Sequence, residues 1–331
     1  MEFAGLGPAP FAAMLLADMG AEVTRVMPPR PQGETGSKGV FLDRGRQDVV
    51  LDLKTADGLE AARHLIRDAD ALIEGFRPGK MEQLGLGPAD LMPLNPQLVY
   101  GRMTGWGQKG PMAGLAGHDI NFLSMTGLLS LMGEKGRRPV PPLNLVSDFG
   151  GGGMYLAFGI VCAVWEARRT GRGQVVDAAM VHGTTHLASF IYGRMAQSNW
   201  TDERESNMLD GGAPFYRIYE TRDSRYIAVG AIEPPFFKSL IVTLQLDERY
   251  IATQMDRTQW PELTEAISAT FASADLDHWI RVFEAVDACV TPVLSVTEAK
   301  QHPQISACFA EVDGILQPSV APRIWPWDGR H

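Results

Sequence analysis

The chain has 331 residues and a formal net charge of −9, with 45% hydrophobic and 21% charged residues. That length supports a sizeable core and two domains, and the composition is that of an ordinary globular protein. The acidic balance argues against a general nucleic-acid binder and leaves room for an anionic ligand held by a local basic patch.

In chain order, a helix is predicted over Ala9 to Met19, with Gly20 as its stop, and then a strand over Glu22 to Val26. The β-branched run Asp48 to Leu53 predicts a second strand, Asp57 to Asp68 a helix and Ala71 to Glu74 a third strand. Leu98 to Met103 predicts a fourth, after a Pro- and Gly-punctuated helical stretch. Strands alternating with helices imply a parallel sheet with crossover helices. The longest apolar stretch, Met154 to Trp165, is too short to span a bilayer and reads as a core helix, and Arg168 to Gly173 reads as its solvated stop. A break follows Phe190, with a polar linker over 191–211. Tyr216 to Glu220 and Arg225 to Gly230 then predict a hairpin, with helices from about Pro234, Leu263 and Leu276: a smaller α+β domain over 212–300. Cys162, Cys289 and Cys308 lack metal-ligand spacing and are expected to be buried free thiols. No leader or C-terminal address motif is visible, and cytoplasm is the expectation. The first residues enter a Gly/Pro turn with no complete strand before it, and Pro322 to His331 shows no periodicity.

The chemistry concentrates in two segments. Gly117-His118-Asp119-Ile120-Asn121-Phe122 offers an imidazole that is a competent base near pH 7, beside a glycine expected to let backbone approach a ligand. Asn144 to Phe149 offers Asp148, expected as the N-cap of the long apolar helix, ahead of Gly150 to Gly153. Backbone N–H groups at such a helix start suit an enolate or thioester oxygen. An imidazole and a carboxyl on opposite faces of one carbon are what removal and return of a proton beside a thioester carbonyl requires. Glu233 reads first as an acidic residue in a helix's opening turn, and otherwise as a carboxylate that orients His118. Arg44, Arg46, Lys54, Arg77 and Lys80 sit near the ends of strand-like runs; such charges usually only solvate a surface, but here they also suit a phosphate-rich ligand. Met103, Met112, Met125 and Met154 suit either core packing or an adaptable apolar surface for an acyl chain. Phosphate-binding and dinucleotide glycine motifs, a nucleophile elbow and paired metal-binding histidines are all missing from the sequence.

Ordered blocks from about residue 2 to 300 carry a resemblance: Gly5 to Phe11, Val50 to Lys54, Gly117 to Asn121, Asn144 to Gly152, Thr170 to Asp177, Met208 to Tyr216, Val229 to Pro234 and Asp287 to Leu294. Through them the chain resembles the family III CoA-transferase (CaiB/BaiF) superfamily and, within it, the members that racemise acyl-CoA. The resemblance implies a Rossmann-like large domain over 1–190, a small domain, a tail over 301–331 returning toward the large domain, and two chains interlocked as a homodimer. It implies a catalytic pair at His118 and Asp148, with Glu233 matching a glutamate that contacts the histidine. Contacts to CoA are implied for Leu51, Asp52, Leu53, Lys54 and for Gly117, His118, Asp119, Ile120, Asn121 and Phe122, with Arg77 joining them from the basic group. Where members carry an arginine after the second strand this chain has Val26-Met27-Pro28-Pro29, with Arg30 as a substitute. The expected activity is a cofactor-independent 1,1-proton transfer that interconverts (2R)- and (2S)-2-methylacyl-CoA, with CoA present only as part of the substrate. Two other readings stay open on sequence alone: a CoA transferase in which Asp148 attacks the thioester, and an inactive acyl-CoA-binding relative.

Overall fold

The structure is a computed structural model, and it describes residues 1–29, 41–312 and 314–325. The chain divides into two units, one of 1–128, 142–190 and 310–331, the other of 129–141 and 191–309. Residues 129–141, expected within the large domain, and 191–211, expected as a linker, both belong to the second unit.

In the first unit, six strands form one parallel sheet: β1 (Glu2–Phe3), β2 (Val23–Met27), β3 (Arg46–Val50), β4 (Ala71–Glu74), β5 (Val99–Thr104) and β6 (Val175–Ala179), in the order β3-β2-β1-β4-β5-β6. The order reverses between β1 and β4, the switch point at which open α/β sheets place their ligands. The second strand expected from the sequence is shifted: β3 ends at Val50, and Leu51 to Lys54 form a turn in which Thr55 and Lys54 donate to Asp52. Helices α1 (Pro8–Asp18) and α6 (Tyr155–Thr170) cover one face, and α2 (Ala56–Arg67), α3 (Lys80–Gln83) and α4 (Pro88–Leu91) the other; α5 (Asp119–Met125), α7 (Met180–Leu187) and α8 (Ser189–Ala196) complete the helices up to residue 196. The two cores follow from strand alternation: Ile73 and Val99 point to the α1/α6 side, Leu72 and Tyr100 to the α2/α3 side. Each fully buried leucine or isoleucine contributes roughly 1.5–3 kcal/mol, and Ile66, Leu72, Leu86, Leu91 and Leu98 are all completely enclosed.

The second unit contains an antiparallel sheet of β7 (Tyr216–Glu220), β8 (Tyr226–Gly230) and β9 (Val290–Pro292). Of its helices α9 (Pro234–Thr243), α10 (Arg249–Ala252), α11 (Trp260–Phe271) and α12 (Leu276–Phe283), all four supply buried residues to one aromatic core with Phe215, Phe237, Trp260, Phe271 and Trp279 at its centre. Helices α13 (Val296–Gln301) and α14 (Pro303–Ser306) and the paired strands β10 (Phe309–Val312) and β11 (Ile315–Pro318) follow.

Three expectations are corrected. All three cysteines are exposed and free, Cys162 on α6 and Cys289 and Cys308 in the bend and turn that precede β9 and β10. The apolar stretch begins earlier than expected: a helical run over Leu145–Thr170 is, by length and composition alone, long enough to cross a membrane. Its residues Leu156, Ile160, Ala163 and Ala167 are built into the α1/α6 core, while Phe158, Val161 and Trp165 are exposed. The methionines divide: Met103 is core, whereas Met125 and Met154 are exposed.

Candidate active site

The first turns of that run are a π-helix, Leu145–Met154, and they hold the glycines. Asp148 lies inside its first turn, with Asn144 preceding it, so Asp148 is not the N-cap of the α-helix. The wider π turn is a rare geometry that occurs mostly at functional sites. The glycines have packing causes. A Cβ on Gly151 would stand 2.5 Å from Thr184 Oγ1 and 2.6 Å from Thr184 N; on Gly153 it would stand 2.9 Å from Pro8 O; on Gly152 it would meet Met180 and Pro8. The run is therefore the flat face on which α7 and the start of α1 rest.

The same contacts bring Asp148 to the sheet's switch point. Gly7, in the turn between β1 and α1, has a positive φ of 69°, and a Cβ there would lie 3.7 Å from Asp148 Oδ2. Opposite, α5 begins at His118, whose backbone is extended; Asn121 Oδ1 accepts the His118 N–H at 3.1 Å, and His118 O accepts from Asn121 N at 2.8 Å. The imidazole is exposed and makes no hydrogen bond among the described residues. Between the two stands Asp119, 4% exposed, whose Oδ2 accepts the N–H groups of both Ser147 (2.7 Å) and Asp148 (2.8 Å). It supplies from another helix the acceptor that the opening N–H groups of the π-helix need, since Asn144 gives no side-chain cap.

Burial pushes the Asp148 carboxyl above its ordinary value; a long hydrogen bond from Asn144 Nδ2 (3.4 Å) opposes this, the Asp119 charge adds to it and His118 opposes it. A carboxyl raised in this way at a ligand-binding edge, next to an imidazole, has the character of a proton-transfer pair.

Other expected residues fare differently. Phe122 is 3% exposed and packs edge-on against Trp106 (centroids 4.7 Å apart), so its side chain belongs to the core and not to a ligand. Gly117 is required by that packing: a Cβ there would stand 2.7 Å from Phe122 Cε1 and 3.0 Å from Trp106. Ile120 and Asn121 face solvent beside His118. Arg44 pairs with Asp18, and Arg46 is sealed against Glu2 (2.9 Å; side chains 1% and 0% exposed) and donates to Leu42, Arg44 and Pro10 carbonyls, so neither is a free phosphate ligand. Lys54, Arg77 and Lys80 are exposed, with side chains unpaired among the described residues. Leu51 and Leu53 pack partly against the α2/α3 core, leaving the backbone of that turn and Asp52 toward solvent. Glu233 lies in the second unit, exposed at the start of α9, without a side-chain cap bond. Arg30 lies outside the described residues. Among the described residues no group of three or more His, Cys, Asp or Glu side chains is placed to hold a metal ion.

The chain belongs to CoA-transferase family III, whose family pattern matches residues 1–314. The particular likeness is to alpha-methylacyl-CoA racemase. The Mus musculus enzyme is 46% identical over 324 residues, 97% of this chain and 84% of that protein. The Homo sapiens enzyme is 46% identical over 302 residues, 91% of this chain and 78% of that protein. In fold, the crystal structure of a CAIB/BAIF family protein from Brucella suis superposes with a TM-score of 0.81 at 24% identity, covering 98% of this chain and 90% of that one.

Proposed function

We propose that this chain racemises 2-methyl-branched acyl-CoA thioesters at C2 by 1,1-proton transfer. The observation that carries the reading is that Asp119, which directly follows the exposed His118, accepts the backbone N–H of Asp148, whose carboxyl burial raises in pKa. Identity of 46% to two racemases over more than nine-tenths of the chain supports it.

In this reading C2 sits between His118 and Asp148. One side chain takes the proton from one face, and the other, in its protonated form, returns a proton to the opposite face; the roles exchange with direction. Asp119 and Ile120 open α5 and have no intrahelical acceptor for their N–H groups, which suits them to hold the enolate oxygen. Each positioned acid or base is worth about 10²- to 10⁴-fold in rate. Lys54 and Arg77, exposed after β3 and β4, take the CoA phosphates, with Leu51 to Leu53 and Gly117 to Asn121 lining the path mainly through backbone. No organic or metal cofactor takes part, and the working form is a homodimer.

The test is incubation of one pure 2-methylacyl-CoA epimer in D₂O, with C2 followed by NMR and chiral chromatography, with and without a free acid acceptor. Racemisation with deuterium entering C2, independent of the acceptor, is the expected result. Acceptor-dependent transfer of CoA to the free acid, without exchange at C2, would overturn the reading.

A further inference from the structure

The Asp119 side chain, unlike its backbone N–H, has no task in the proton transfer itself, yet it is the physical link between the two groups that perform it. Its backbone follows His118 directly, and its carboxylate grips the N–H groups of Ser147 and Asp148 through a single oxygen at 2.7 and 2.8 Å. The other oxygen, Oδ1, is buried with no hydrogen-bond partner. A buried carboxylate with an unsatisfied oxygen is costly, and a packing role alone would be served as well by an asparagine, which could use its amide oxygen for both N–H groups. Ser147 is held a second time, by Thr184 Oγ1 at 3.1 Å, so the turn carrying Asp148 is tied to α5 on one side and α7 on the other.

We infer that Asp119 is a positioning residue for racemisation: its carboxylate fixes the separation of His118 and Asp148 across the substrate carbon and sets the proton affinity of Asp148 by its charge. This rests on the racemase reading. The clamp acts on geometry, because a shift of about 1 Å between a catalytic group and its target costs on the order of 10²-fold. The charge acts on protonation, because a like charge disfavours the ionised form of its neighbour; the Asp119 charge raises Asp148 and the His118 charge lowers it. The other titratable groups on elements packed against the π-helix are Asp18 on α1, Tyr100 and Arg102 on β5, Asp177 on β6, His182 and His186 on α7, and Tyr155, Cys162, Glu166, Arg168 and Arg169 on α6.

Two substitutions separate the two roles. Asp119→Asn keeps an acceptor for both N–H groups and loses the charge; Asp119→Ala loses both. With full-length protein and 2-methyldecanoyl-CoA as probe, C2 exchange in D₂O is measured across pH together with thermal unfolding. For Asp119→Asn the expected result is a melting curve close to wild type, kcat within about tenfold, and an acid limb of kcat/KM displaced to lower pH. For Asp119→Ala it is a loss of about 10²-fold in kcat with KM changed by less than about threefold. An Asp119→Asn profile that superimposes on wild type, or an Asp119→Ala protein with wild-type kcat, overturns the inference while the racemase reading stands. If Asp119→Ala does not fold, the pH profile of Asp119→Asn alone decides. A wild-type protein that exchanges no C2 proton overturns both.

Discussion

Gly183 is the position at which the chemistry is most exposed to a single methyl group. It lies on α7 with no room at all: a Cβ there would stand 1.8 Å from Gly151 O, 2.7 Å from its carbonyl carbon and 3.0 Å from its Cα. Ordinary Cβ contacts begin at 3.4 Å, so Gly183→Ala must push α7 and the π-helix apart by about 1.5 Å, since both contacting surfaces are backbone and neither can rotate aside. Overpacking of this kind typically costs about 1–3 kcal/mol, and the rigid contact places Gly183→Ala near the upper end. At about 2–4 °C per kcal/mol for a unit of this size, melting should fall by roughly 6–12 °C. The displaced π-helix carries Asp148, and a shift of about 1 Å costs on the order of 10²-fold in rate, so activity measured well below the melting point should fall about that far. The control is Gly193→Ala on α8, where nothing lies within 4 Å; helix propensity should then make alanine stabilising by about 0.5–1 kcal/mol. Differential scanning fluorimetry and the D₂O exchange assay read both variants. A Gly183→Ala protein that melts and turns over like wild type would refute the claim that direct backbone contact positions Asp148.

Replacing His118 with Ala should lower C2 exchange by about 10²- to 10⁴-fold with an unchanged melting point, because the imidazole makes no bond among the described residues; a wild-type rate removes His118 from the mechanism. Arg46→Met leaves Glu2 buried without its cation, with Glu2 Oε1 already unpartnered, and should cost about 3–5 kcal/mol in denaturant unfolding; a loss under 1 kcal/mol would mean that Glu2 is neutral in the folded chain. Asp148 has a folded pKa raised above its unfolded value of about 3.9. Its contribution to stability is therefore complete below the unfolded value and is lost as pH rises through the folded one. Asp148→Asn should consequently melt above wild type at pH 7.5, with the gap closing toward pH 4, and a variant less stable at pH 7.5 contradicts the burial argument.

Four of the six described strands were legible because they announce themselves locally, whereas β1 is only two residues long and β6 follows directly on the turn that ends α6. Ala71 to Glu74 and Val99 to Thr104 are short apolar runs between helix signals, and the crossover rule then leaves little freedom in how they pair. His118 and Asp148 could be singled out by residue type, but not the reasons for their neighbours. The glycine run looked like a generous cap because sequence cannot show that Thr184 and Pro8 press against it. Arg46 looked like a surface cation because its partner, Glu2, is remote in sequence; an acidic residue beside Phe3 at the centre of a parallel sheet was the available signal. Sequence alone assigns Asp119 a contact to CoA and not the bonds to Ser147 and Asp148, although its neighbours Gly117 and Phe122 are both tightly packed and the helix it opens dips into the core at that point.

Sequence propensity and function pull in opposite directions at the π-helix. Four glycines within ten helical residues cost roughly 0.5–1 kcal/mol each relative to alanine, and a π turn is itself a poor hydrogen-bonding geometry. A helix selected for stability alone would carry neither. Both features act toward one result: they let α1 and α7 pack closely on the π-helix that carries Asp148, which is half-buried near Gly7. Desolvation is the largest influence raising its pKa, and desolvation by backbone is available only where side chains have been left out. The glycines therefore act on Asp148 through packing, by leaving the room in which α1 and α7 close on its helix.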